Sequence, residues 1–141
     1  MPLLPARVKF RKQHTRGWRL DHVAGTGNEI SFGDFGLQAL ESGKITARQL
    51  EAARVTASHY LGRSGKMWVR IFPHTPVTKH PAESRMGSGK GEVEYWASFL
   101  DAGTVMFEFA GITEDMAREA MRRQAFKLPL RCRLIKRRAI A

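Results

Sequence analysis

The chain has 141 residues, enough for one ordinary domain that buries about two-thirds of the surface its unfolded form exposes. Its 43% hydrophobic content excludes wholesale disorder, and without a run of eighteen apolar residues no membrane span is expected. Twenty-four Lys and Arg stand against 13 Asp and Glu, and the resulting +11 points to a polyanionic partner.

Segment 1–28 reads as a basic arm. Arg7, Lys9, Arg11, Lys12, Arg16 and Arg19 face Asp21 alone among the ionised groups of the first 22 residues. Met1-Pro2-Leu3-Leu4-Pro5 runs straight into these bases without the apolar core of a signal peptide, so a cytoplasmic protein is expected. Gly17 and the β-branched Val8 and Thr15 oppose an amphipathic membrane helix here, so no membrane partner is expected. Trp18 lies between Arg16 and Arg19 outside any core period, a placement suited to stacking on a base or sugar. Ala24-Gly25-Thr26-Gly27-Asn28 is a loop signal.

The alternation and glycines of 29–37 predict a bulged strand. Thr46-Ala47-Arg48-Gln49 spells a capping box for a helix whose buried stripe is Leu50, Ala53, Ala57, Tyr60 and Leu61, with Gly62 ending it and Arg48 and Arg54 on the wet side. Residues 66–73 predict a strand with Met67, Val69 and Ile71 toward the core and Trp68, Arg70 and Phe72 on the other face. Core packing is the default for such rings; a stacking surface flanked by Lys66 and Arg70 is the alternative. Residues 74–91 hold little to bury and read as an extended Gly/Pro-rich loop. An antiparallel pair, 93–100 and 104–109, is expected to turn at Asp101-Ala102-Gly103. Thr113 is expected to cap a second helix, with Arg122, Arg123 and Lys127 gathering toward its end and Pro129 forbidding continuation. Residues 130–135 read as a last strand, inside a terminal segment carrying Arg131, Arg133, Lys136, Arg137 and Arg138 with no acid. The pattern predicts a single α+β domain over 1–141, two helices packed on one side of a mixed or antiparallel sheet. Outside the cationic extensions the chain is close to neutral, a layout suited to binding phosphate by counterion release.

Chemistry of the catalytic kind finds no foothold. Arg85-Met86-Gly87-Ser88-Gly89-Lys90-Gly91 lets a phosphate or sugar approach the backbone, but Ser84 and Gly91 stand where a nucleotide-binding Walker loop needs Gly and Ser or Thr. His74 and His80, six apart on a Pro-rich stretch, match no metal pattern, and the single Cys132 offers no second thiol. Cys132 lies between two arginines, which could lower its pKa, yet no His is placed beside it. Glu92 and Glu94 share a strand face and balance nearby bases. No enzyme, cofactor or metal is expected.

Several blocks together resemble one family. Phe10-Arg11-Lys12, Phe32-Gly33-Asp34-Phe35-Gly36-Leu37, Thr46 through Arg54, and Gly65 through Pro73 are similar to successive blocks of bacterial-type large-subunit ribosomal protein L-sixteen. Arg85-Met86-Gly87-Ser88-Gly89-Lys90-Gly91, followed by Val93-Glu94-Tyr95-Trp96, resembles that family's second signature, and Lys127-Leu128-Pro129 closes the match. Gly62 departs from the pattern, standing before Arg63 where the family has a basic pair. The resemblance implies a hammerhead-like α+β fold in the large ribosomal subunit, bound to its rRNA beside A-site and P-site tRNA near the peptidyl-transferase centre. It also implies neighbouring large-subunit proteins as partners, a role in late subunit maturation, and no catalytic residue. The expected rRNA contacts, read from charge and position, are Arg7, Lys9, Arg11, Lys12, Arg16, Trp18, Arg19, Arg48, Arg63, Lys66, Arg70, Arg122, Arg123 and Lys127, with ordinary helix-end charges as the alternative for the last three. The implied tRNA-facing loop runs from Pro76 to Gly91, including Lys79, with Arg85, Met86 and Lys90 at its tip around Gly87, Ser88 and Gly89. A free-standing basic protein that organises RNA or DNA is the alternative.

Overall fold

In the computed structural model, which describes residues 3–15 and 22–138, the Thr46 hydroxyl accepts from the Gln49 amide at 3.2 Å. The Gln49 side-chain oxygen Oε1 in turn accepts from the Thr46 backbone amide at 3.0 Å. This reciprocal box opens α1 (Ala47–Leu61) because it satisfies two amides that a first helical turn leaves without partners. Leu50, Ala53, Ala57 and Leu61 are buried as the spacing requires, whereas Tyr60 of the expected stripe is only half-buried and Ala47 is buried in addition; the chain leaves through Gly62 at a φ of 59°. The second helix, α2 (Glu114–Ala125), starts where expected, but the Thr113 side chain makes no capping hydrogen bond. Glu114 and Asp115 in the first turn offset the helix dipole instead, and Glu114 pairs with Arg118 at 2.9 Å and Lys136 at 2.5 Å.

Among the described residues, seven strands form two antiparallel sheets rather than one. They are β1 (Phe35–Ala39), β2 (Gly43–Thr46), β3 (Lys66–Val69), β4 (Thr75–Lys79), β5 (Glu92–Leu100), β6 (Val105–Ala110) and β7 (Cys132–Lys136). One sheet has the order β3-β6-β1-β7 and the other β2-β5-β4. The expected pairing of β5 with β6 does not form. The chain does turn at 101–104, with Gly103 at a φ of 98°, but β5 pairs with β2 and β4 while β6 pairs with β1 and β3. Alternation identifies a strand, not its neighbour, and β6 is buried on both faces, so it needs a partner on each edge and a layer on each side.

Two strands escape the sequence pattern. β2 is only four residues long, and β4 carries Pro76, which is tolerated because β4 lies at a sheet edge. The stretch 74–91 is therefore not all loop; the connection proper is 80–91. The strand expected at 29–37 begins only at Phe35, because 31–33 is bonded to a side chain of β6 rather than to a neighbouring strand.

Both helices cover the same face of the four-stranded sheet. Leu50, Ala53, Ala57 and Leu61 of α1 and Ala120 and Met121 of α2 share one cluster with Leu37, Phe107 and Phe109. Each fully buried Phe or Leu there contributes about 1.5–3 kcal/mol by leaving water. Among the described residues no helix is long and apolar enough to cross a membrane.

Candidate nucleic-acid interface

The cationic arm and the glycine-rich loop, some eighty residues apart in sequence, meet in space. Lys12 Nζ donates to the Lys90 carbonyl at 3.1 Å and to Glu92 Oε1 at 3.2 Å. Arg11 reaches the other Glu92 oxygen at 3.3 Å, and Lys90 Nζ donates to the Gln13 carbonyl at 2.6 Å. The Lys12 hydrogen bond, with the charges of Lys12 and Arg11, holds the Glu92 carboxyl below the usual carboxylate range. Lys79 lies 3.6 Å from Glu94 on the adjoining strand, so Glu92 and Glu94 do balance bases, one set of them from the arm.

The loop is open in form and narrow at its base. Gly87, Ser88 and Gly89 all have positive φ, at 106°, 63° and 86°. At the neck, a side-chain carbon on Gly91 would stand 2.5 Å from the Lys79 carbonyl oxygen, so only glycine lets the two strands close. Met86 is fully at the surface, and Arg85 beside it is exposed.

The other candidate contacts spread around the domain. Arg7 and Lys9 are exposed on the arm, with Lys9 over the Phe10 ring at 5.7 Å. Arg48 on α1, Arg63 after it and Lys66 at the start of β3 are exposed, as is Lys127 beyond α2. Arg122 lies 3.7 Å from Glu119; Arg123 bonds the same carboxylate at 2.8 Å and covers the Tyr60 ring at 4.3 Å. Arg16, Trp18 and Arg19 lie outside the described residues. Arg133, Lys136, Arg137 and Arg138 line a cleft of about 700 Å³ together with Val23, Ala24 and 28–30. Arg133 Nε donates there to the buried Gln38 at 2.8 Å.

Arg70 has a partner inside the chain that sequence reasoning missed. Its guanidinium bonds the carboxylate of Glu108, a fully buried residue in the middle of β6. Glu108 also accepts the backbone amides of Ser31 at 3.1 Å, Phe32 at 2.6 Å and Gly33 at 2.8 Å. Burial pushes this carboxyl up, but the three amides and Arg70 outweigh it, and the group is held below the usual carboxylate range. One signal was available: a lone acid inside Val-Met-Phe-Glu-Phe-Ala cannot be left unpaired.

The surroundings of Cys132 act on its thiol in the sense opposite to the expected one. Its neighbouring arginines do not activate it; burial, aided by the charge of Glu41, pushes the thiol up to about 11. At pH 8 the folded protein is expected to react with iodoacetamide much more slowly than the unfolded chain. Equal rates in the two states would contradict this environment.

The chain matches the family described as Ribosomal protein L16p/L10e over residues 5–135. A protein named large ribosomal subunit protein uL16 from Heliobacterium modesticaldum is 53% identical over 135 residues, covering 96% of this chain and 92% of that protein. Proteins of the same name from Cutibacterium acnes and Bifidobacterium animalis subsp. lactis are 50% and 52% identical, each match covering 96% of both chains.

Proposed function

The chain belongs to the ribosomal protein L16p/L10e family, and from that premise we propose that it is a structural constituent of the large ribosomal subunit. In this reading it serves translation in the cytoplasm, binds large-subunit rRNA beside other ribosomal proteins and has no catalytic chemistry of its own. The observation that carries the RNA-binding part is the joint between arm and loop, where Arg11 and Lys12 reach Glu92 and Lys90 ties the loop to the Gln13 carbonyl of the arm. A cationic ridge built from two distant segments suits a folded RNA surface better than a small ligand.

The exposed loop 80–91 is the part that reaches toward A-site and P-site tRNA, with Arg85 as a two-pronged phosphate grip and Lys90 as a point charge. Sedimentation of the endogenous protein tests the assignment: it is expected to travel with large subunits and to stay behind only at high salt. Arg85→Ala is expected to change folding stability by less than about 0.5 kcal/mol, because the residue is exposed and makes no hydrogen bond or ion pair among the described residues. Subunits carrying it are expected to bind A-site tRNA several-fold more weakly, by roughly the loss of one charge-assisted pair. Recovery of the protein free of subunits at low salt, or tighter binding to duplex DNA than to rRNA, would overturn the assignment.

A further inference from the structure

On the face of the four-stranded sheet turned away from the helices lies an aromatic cluster that the charge-based reading leaves unused. The rings of Phe32 and Trp68 stack with centroids 6.2 Å apart and planes inclined by 23°. The Arg70 guanidinium lies over the Phe32 ring at 5.2 Å. Trp68 and Arg70 are alternate residues of one extended segment, so both project from the same side of the chain. Phe32 nevertheless remains 59% exposed.

An exposed phenyl ring on a loop is ordinarily mobile. Here its backbone is fixed, because the Phe32 amide and both flanking amides donate to the buried Glu108 carboxylate. Gly33 makes that approach possible: a side-chain carbon there would stand 2.5 Å from the Phe109 carbonyl oxygen. A carboxylate taken out of water costs free energy unless several donors meet it, and this one is spent on orienting a ring that faces solvent. Burying Phe32 cannot be what the arrangement achieves. Holding a flat aromatic surface ready for a partner is.

We propose that Phe32, backed by Trp68 and Arg70, is a stacking site for one unpaired nucleobase of RNA. The proposal rests on the RNA-binding reading above. A single ring flanked by cations is poor ground for an apolar peptide and good ground for a nucleotide, whose base takes the ring and whose phosphate takes a charge. Lys66, exposed two residues before Trp68 on the same face, supplies that charge.

Two fluorescent probes of equal length test it with the full chain: single-stranded oligoadenylate and a perfectly paired RNA duplex, whose bases are closed to stacking. Phe32→Ala is expected to weaken oligoadenylate binding roughly 5- to 100-fold and duplex binding by less than about twofold. Phe32→Tyr, which keeps a ring, is expected to bind both probes like the parent. Phe32→Leu, which keeps apolar bulk without a π face, is expected to behave like Phe32→Ala even if alanine loosens the loop. An unchanged affinity in Phe32→Leu, or equal losses on both probes, would overturn the stacking site. Failure of the unsubstituted protein to bind either probe would instead sink the RNA-binding reading itself.

Discussion

Glu108→Ala is expected to cost about 3–5 kcal/mol of folding stability, the range for removing one partner from a buried charged network. The loss has two parts that act together. The amides of Ser31, Phe32 and Gly33 are left without their acceptor, and Arg70, only 19% exposed in its side chain, is left as an uncompensated charge. Urea denaturation at neutral pH measures it, and a loss below about 1 kcal/mol would show that water replaces the carboxylate at no cost. The same group sets a pH dependence. Its folded pKa lies below its unfolded value, so its contribution is complete above the unfolded value and disappears as pH falls through the folded one. The unsubstituted protein is therefore expected to lose stability through the acidic end of the carboxylate range, and Glu108→Gln to lose less across that window.

The affinity for large-subunit rRNA is expected to fall about 10³- to 10⁵-fold between roughly 50 and 200 mM salt if six to ten cations meet phosphates. The structure supplies enough of them. Among the described residues, Arg7, Arg48, Arg63, Lys66, Arg85 and Lys127 are exposed without an ion pair inside the chain, beside the arm cations gathered on Glu92. Each cation removed is expected to lower the slope of log affinity on log salt by about one. A titration with a slope near zero would contradict phosphate binding outright, whatever the affinity at a single salt concentration.

What the sequence shows and what it hides divide by range of interaction. The box at Thr46 and Gln49 and the stripe of Leu50, Ala53 and Ala57 are contacts within a turn or two, so spacing alone reveals them. Trp68 is read correctly as lying opposite Met67 and Val69, because strand alternation is also local. The partner of β5 is a different matter: its register with Gly43–Thr46 joins residues some fifty positions apart, and nothing in either segment names the other. The cationic segments of the candidate interface were plain from charge. That Lys12 would rest on the Lys90 carbonyl, or that Glu108 would take amides from 31–33, depends on the finished fold. β4 was hidden by a prejudice against proline that holds for central strands and not for edges.

Divide the chain at the loop: β1 to β4 come before it and β5 to β7 after it, and in both sheets the two groups alternate without exception. α1 and α2, which share the core, also come from opposite sides of that divide. Among the described strands, no two from the same fragment are neighbours in a sheet. A nascent chain therefore has nothing to pair with until synthesis has passed Gly91, which places its folding late and makes it depend on the most distant contacts. A single protease cut at Arg85 would leave two interlaced pieces held by every rung of both ladders, and two separately made halves should reassemble without the peptide that once joined them.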